Sequence, residues 1–144
     1  MRRILTTILF ASLSLSFIGC GEKGPAVTPV SVTITHKGSP LAGATVAVVS
    51  SDGKGNTAGG MTNSSGVASL ETPPSWKGVI PGEYAVAVKK WESYSVPAPS
   101  EDDPKATATQ QRNLLPAKYG EHSSSGFKLT VGNKAVQESF DVPE

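Results

Sequence analysis

From Val30 onward the chain is a series of short alternating runs cut by turn residues, and that pattern restricts it to packed β-sheet. Val30, Val32 and Ile34 alternate with Ser31, Thr33 and Thr35, the period of a strand with one buried and one solvated face. Lys37-Gly38-Ser39-Pro40 makes a turn. Ala44 to Val49 is apolar on both phases and reads as a central strand. Ser50 to Gly60 holds glycine at four of eleven positions and reads as a loop, with Met61-Thr62 opening the next strand. Asn63-Ser64-Ser65-Gly66 is a turn, because Asn and Gly tolerate positive φ. Val67 to Thr72 is a strand with Ala68 and Leu70 inward. Pro81-Gly82 leads into a strand whose Tyr84, Val86 and Val88 share one face, leaving Glu83 outside.

Residues 91–113 break the alternation. They contain three prolines, no apolar period, and the acidic run Glu101-Asp102-Asp103. They read as a long, mobile, structureless insertion, which in a compact domain is usually functional or disordered. Leu114 to Gly120 reads as extended chain. Phe127, Leu129 and Val131 alternate, Gly132-Asn133-Lys134 reads as a hairpin turn, and Gln137 to Val142 closes the sheet with Phe140 and Val142 inward. No stretch after residue 20 has a helical period. The expectation is an all-β sandwich of about seven strands. Fifteen glycines and eleven prolines in 144 residues suit such a turn-rich fold, and the length suits one domain.

The first twenty residues differ in kind. Arg2 and Arg3 precede a mainly apolar segment, Ile4 to Ile18, too short to span a bilayer. A charged start, an apolar core and small residues after it describe a secretory signal. The sole cysteine of the chain closes this segment, after Phe17, Ile18 and Gly19. The arrangement resembles a bacterial lipobox, although Phe17 stands where leucine is usual. The resemblance implies residues 1–19 as a lipoprotein signal peptide, cleaved between Gly19 and Cys20, with lipidation at Cys20. Two or three acyl chains there anchor a protein stably, whereas one chain binds marginally. Removing Arg2 and Arg3 from thirteen basic residues leaves eleven against twelve acidic, a formal −1. The anchor is therefore lipid and not a polybasic patch. Residues 20–29, rich in Gly and Pro, read as the flexible lipidated tether.

Three runs carry a wider resemblance. They are V-x-I-T-H-K-G-S-P-L-A-G-A-T-V-A-V from Val32 to Val48, M-T-N-S-S-G-V-A-S-L from Met61 to Leu70, and P-G-E-Y-A-V-A-V from Pro81 to Val88. They resemble carboxypeptidase regulatory-like domains, which are transthyretin-like (prealbumin-like), Ig-like β-sandwiches. The later runs L-P-A-K-Y, S-S-G-F-K-L-T-V and F-D-V look like a subgroup of small bacterial lipoproteins built on that domain. The resemblance covers residues 30–144 and implies a fold. It names no activity, because this fold hosts many roles.

The inventory of reactive residues is short. One cysteine excludes an internal disulfide and any multi-cysteine zinc site. The near-zero charge gives no field for nucleic acid. The two histidines, His36 and His122, read as solvent-facing, and His122 has only adjacent serines, with no G-x-S-x-G elbow. Asp52-Gly53-Lys54-Gly55-Asn56 resembles a calcium loop only loosely, since a lysine interrupts it and no Glu follows at EF-hand spacing. Transthyretin-like hydrolases acting on small heterocycles need clustered His and Arg, and here Arg112 stands alone after cleavage. No catalytic residue, metal site or cofactor is expected.

The remaining candidates are aromatic. Trp76, Trp91 and Tyr94 fall in or beside loops, where they either cap the sandwich ends or form a contact surface. The expected role is a non-enzymatic, lipid-anchored cell-envelope module, structural or protein-binding, facing the periplasm or the exterior. Its partners would be the membrane, through the acyl chains on Cys20, and an unknown envelope protein or glycan. The alternative is a carbohydrate-binding module, which coplanar exposed Trp76, Trp91 and Tyr94 would favour.

Overall fold

The computed structural model describes residues 24–99, 102–103 and 105–143, so the expected cleavage and lipidation positions, Gly19 and Cys20, lie outside the described residues. Ten strands lie among the described residues: β1 Val30–His36, β2 Ser39–Pro40, β3 Thr45–Ser50, β4 Thr57–Met61, β5 Val67–Ser69, β6 Gly82–Lys89, β7 Trp91–Pro97, β8 Thr107–Asn113, β9 Lys128–Val131 and β10 Val136–Val142. One 3-10 helix, Ala117–Gly120, lies between β8 and β9.

The strands form a β-sandwich. One sheet has β1 at its centre, with β10 on one side and both β2 and β5 on the other. The second sheet runs β4-β3-β6-β9. The alternating residues of β1, β3 and β6 meet between them. Val32, Ile34, Val46, Val48, Val86, Val88 and Val142 have no exposed surface. Each such side chain contributes roughly 1.5–3 kcal/mol by leaving water. Tyr84 is buried beside them and its hydroxyl donates to the Ile80 carbonyl at 2.7 Å. Burial, with a smaller effect of the Asp52 charge, raises its pKa.

Several local expectations hold in detail. β3 is central, Gly66 turns with φ 76°, and Glu83 is exposed. A Cβ on Gly66 would sit 2.6 Å from the Ile34 carbonyl oxygen, so both space and φ require glycine there. Asn63 Oδ1 accepts from the Ser65 and Val67 amides at 2.9 and 3.1 Å, closing the turn from its first residue.

Other segments differ from the sequence reading. Thr57 to Gly60, read as loop, lies in β4. The Gly59 and Glu71 backbones exchange hydrogen bonds of 3.0 and 2.9 Å, and a Cβ on Gly60 would meet the Ser69 carbonyl at 2.4 Å. These glycines let two backbones meet and join the sheets along one side. Gly132-Asn133-Lys134 is no hairpin, because β9 pairs with β6 and β10 pairs with β1 in parallel. The turn instead carries the chain from one sheet to the other. The tether is shorter than read, since Thr28 is buried, exchanges backbone bonds of 2.8 Å with Val79, and donates its hydroxyl to the Gly132 carbonyl. The Leu114–Gly120 segment is not extended throughout. Its 3-10 helix sets Tyr119 on Phe127, with centroids 5.3 Å apart, and Phe127 lies 4.9 Å from Phe140.

Candidate functional site

Residues 91–113 are not a structureless loop. β7 and β8 form an antiparallel ribbon with seven cross-strand pairs, from Trp91 opposite Asn113 to Pro97 opposite Thr107. The ribbon belongs to neither sheet of the sandwich. Seven residues of strand reach roughly 23 Å.

Its base is tied down by one side chain. Asn113 Oδ1 accepts from the Lys90 amide at 3.0 Å and from the Leu115 amide at 3.3 Å. The Leu114 amide donates to the Lys90 carbonyl at 2.8 Å, and the neighbouring Leu115 is buried in the core. Beyond this clamp almost every ribbon side chain is exposed, with Val96 and Asn113 half-buried.

The two ribbon faces differ. One bears Glu92, Tyr94 and Val96 opposite Arg112, Gln110 and Ala108. There Arg112 Nε and Nη2 donate to one Glu92 carboxylate oxygen at 3.1 and 2.8 Å. The guanidinium lies 5.4 Å from the Tyr94 ring centroid, and the Tyr94 hydroxyl donates to Gln110 Oε1 at 3.1 Å. An exposed ion pair of this kind contributes about 0.2–1 kcal/mol. The other face bears Trp91, Ser93 and Ser95 opposite Asn113, Gln111 and Thr109.

Trp91 and Tyr94 therefore point to opposite sides of the ribbon. They do not assemble the coplanar pair that a glycan platform requires. Trp76 sits elsewhere, in the turn where its backbone bonds to Thr72 in both directions at 2.8 Å. Its ring lies against Gly24, where a Cβ would fall 2.1 Å from the indole. None of the tryptophans closes the sandwich: Trp76 is 36% and Trp91 52% exposed. Tyr119, Phe127 and Phe140 fill that role, because their ring stack joins the 3-10 helix, the residue before β9, and β10.

The histidines are not simply solvent-facing. Both are half-buried, and His36 Nδ1 lies 2.7 Å from the Val142 carbonyl, to which it donates. His122 Nε2 is enclosed without a hydrogen-bond partner. In the glycine-rich loop, Lys54 Nζ stands 3.1 Å from Asp52, and the Lys54 amide donates to the same carboxylate. These bonds, backbone first, lower the Asp52 pKa. The lysine occupies the place a cation would need. Among the described residues no three His, Cys, Asp or Glu side chains cluster as metal ligands. A cavity of about 160 Å³ is lined by Ser51, Glu83, Tyr84, Lys128, Leu129 and Thr130. It holds no nucleophile–base arrangement, and the Tyr84 hydroxyl is committed to Ile80.

No family model matches the chain, and no curated protein matches it. Among solved structures it is similar to the major pilin subunit of Bacillus cereus. That likeness covers 83% of this chain and 31% of the pilin chain, at 15% identity and a TM-score of 0.46. A 9R-lipoxygenase from Cyanothece is similar over 81% of this chain and 16% of the enzyme, at 11% identity and a TM-score of 0.37. The chain thus spans less than a third of the length of either. At that identity neither likeness transfers an activity.

Proposed function

We propose that this chain is a non-enzymatic, lipid-anchored module of the cell envelope that presents its β7–β8 ribbon to a partner protein. The signal-like N-terminus with its lone Cys20 supports the anchor, and the likeness of residues 30–144 to carboxypeptidase regulatory-like domains supports the module. The observation that carries the contact role is the ribbon itself, tied at its base and exposed on both faces. Ordering backbone costs about 1–2 kcal/mol per residue. A two-stranded ribbon without a core recovers little of that alone, so a second surface is the natural complement. The sandwich supplies the rigid base, and acyl chains on Cys20 set which compartment face, periplasm or exterior, the ribbon meets.

The test uses the full-length tagged chain in bacterial cells, with a photo-crosslinking residue at Tyr94 or at the exposed sandwich residue Met61. Adducts are expected from position 94, not from position 61, and are lost with Cys20→Ala, which also moves the protein out of the membrane fraction. Adducts absent from position 94, or membrane retention of Cys20→Ala, overturn the reading.

A further inference from the structure

The ribbon's two outer edges are not equivalent, and the difference points to the occupant. The Leu114 amide bonds to Lys90 and the Ala98 amide to Ala106, each at 2.8 Å, at the two ends of the ladder. Hydrogen-bonded pairs alternate in an antiparallel ladder. The bonded pairs are therefore 92:112, 94:110 and 96:108. The intervening residues turn their amides and carbonyls outward: Trp91, Ser93, Ser95 and Pro97 on β7, and Thr107, Thr109 and Gln111 on β8.

Free edges recruit other strands unless they are short, charged, or carry proline. The other free edges among the described residues carry such a guard or are partly covered: β4 is bound at Gly59 by two backbone bonds to Glu71, and β5 is three residues long. β7 ends in Pro97, which lacks the outward amide its position calls for. β2 is two residues long and contains Pro40. β9 is four residues long and starts with Lys128. β10 carries Glu138 and Asp141. β8 is Thr-Ala-Thr-Gln-Gln-Arg-Asn, seven residues with one charge, and that charge is bound to Glu92.

We infer that β8 pairs antiparallel with β8 of a second copy of this chain, joining two ribbons into a four-stranded sheet. This rests on the reading of the ribbon as the contact element and names its partner. The chemistry of β8 is self-complementary. Threonine pairs with threonine across strands, and the glutamine amide is both donor and acceptor. Charge fits the antiparallel sense. The tip carries Asp102, Asp103 and Lys105 and the base Lys90, Glu92 and Arg112, which leaves the tip net negative and the base net positive. Two ribbons running in opposite directions about a two-fold axis near Thr109 or Gln110 set tip against base and hold the two Arg112 side chains apart. Such an isologous contact closes at two copies.

The experiment uses the full-length chain in bacterial membranes with Thr109→Cys, Gln110→Cys or Ser95→Cys, under mild oxidant, against the unsubstituted chain, whose sole cysteine is Cys20. Opposed residues in antiparallel strands stand close enough for a disulfide. Covalent dimer is expected from position 109 or 110, and not from position 95 or from the unsubstituted chain. Thr109→Pro, combined with Gln110→Cys, removes an outward amide and leaves the ribbon's own bonded pairs intact. It is expected to lower the dimer yield by about tenfold, the effect of one or two lost backbone bonds, with an unchanged unfolding temperature. Dimer from position 95 equal to the larger of the yields at 109 and 110, or a yield indifferent to Thr109→Pro, overturns the inference. If β8 gives no dimer while Tyr94 crosslinks to a different protein, self-pairing fails and the ribbon remains a contact element. If neither position yields an adduct, both readings fail.

Discussion

Asp141 shows how one exposed side chain ties distant segments together. Its Oδ1 accepts from the Thr35 hydroxyl at 2.6 Å and from the Gly38 amide at 3.0 Å. The Thr35 bond is the larger cause of its lowered pKa, followed by the Gly38 bond. A carboxyl whose folded pKa lies below its unfolded one stabilises the fold fully above the ordinary value of 3.8 and loses that contribution as pH falls through the folded value. Thr35→Ala is expected to raise the Asp141 pKa toward the ordinary value, as read from its carboxyl carbon shift in an NMR titration. An unmoved midpoint would show that the threonine bond does not form. Gly66 is the second residue whose type the structure demands. Gly66→Ala places a Cβ against Ile34 at positive φ and is expected to cost about 1–3 kcal/mol, several degrees of melting temperature in a domain this size. This glycine was legible from the sequence, because turn chemistry is local.

At the scale of elements, the ribbon and the strand before it answer to different forces. β6 is held by burial of Tyr84, Val86 and Val88, whereas β7 and β8 bury nothing comparable. Replacing residues 91–113 with a short glycine turn between Lys90 and Leu114 is therefore expected to leave the melting temperature within a few degrees, since exposed substitutions cost about 0.5 kcal/mol or less. Leu115→Ala, just past the ribbon, is expected to cost roughly 2–5 kcal/mol by opening a cavity. Comparable losses from both variants in thermal denaturation would mean that the ribbon packs on the core. The sequence concealed the ribbon because neither of its faces meets a core and no apolar alternation marks it. Its trace was compositional: two β-prone runs, W-E-S-Y-S-V and T-A-T-Q-Q-R, flank the turn-forming D-D-P-K. β4 was hidden by its glycines, whose purpose, close approach to Ser69 and Glu71, exists only once the sheets have met.

For the molecule as a whole, the decisive feature is the parallel pairing of β1 with β10, which brings residues about a hundred positions apart into register from Val30:Val136 to His36:Val142. Removing residues 136–144 bares that edge of β1 and takes Phe140 and Val142 from the core. Such a truncation is expected to abolish cooperative unfolding, measured by calorimetry, whereas a two-state transition near that of the intact chain would show that β10 is dispensable. The sequence by itself determined the β class, the inward phase of β1, β6, β9 and β10, and the turns at Gly38 and Gly66. Each of these follows from side-chain alternation or local backbone preference, which act within a few residues. Only the tertiary structure decided that the turn after β9 crosses between sheets, that Tyr119, Phe127 and Phe140 and not the tryptophans close the sandwich, and that residues 91–113 stand out as a ribbon with Trp91 and Tyr94 on opposite faces. Those outcomes depend on which strand edges and apolar faces find each other across the chain, and pairing between distant segments leaves no periodic mark in either one.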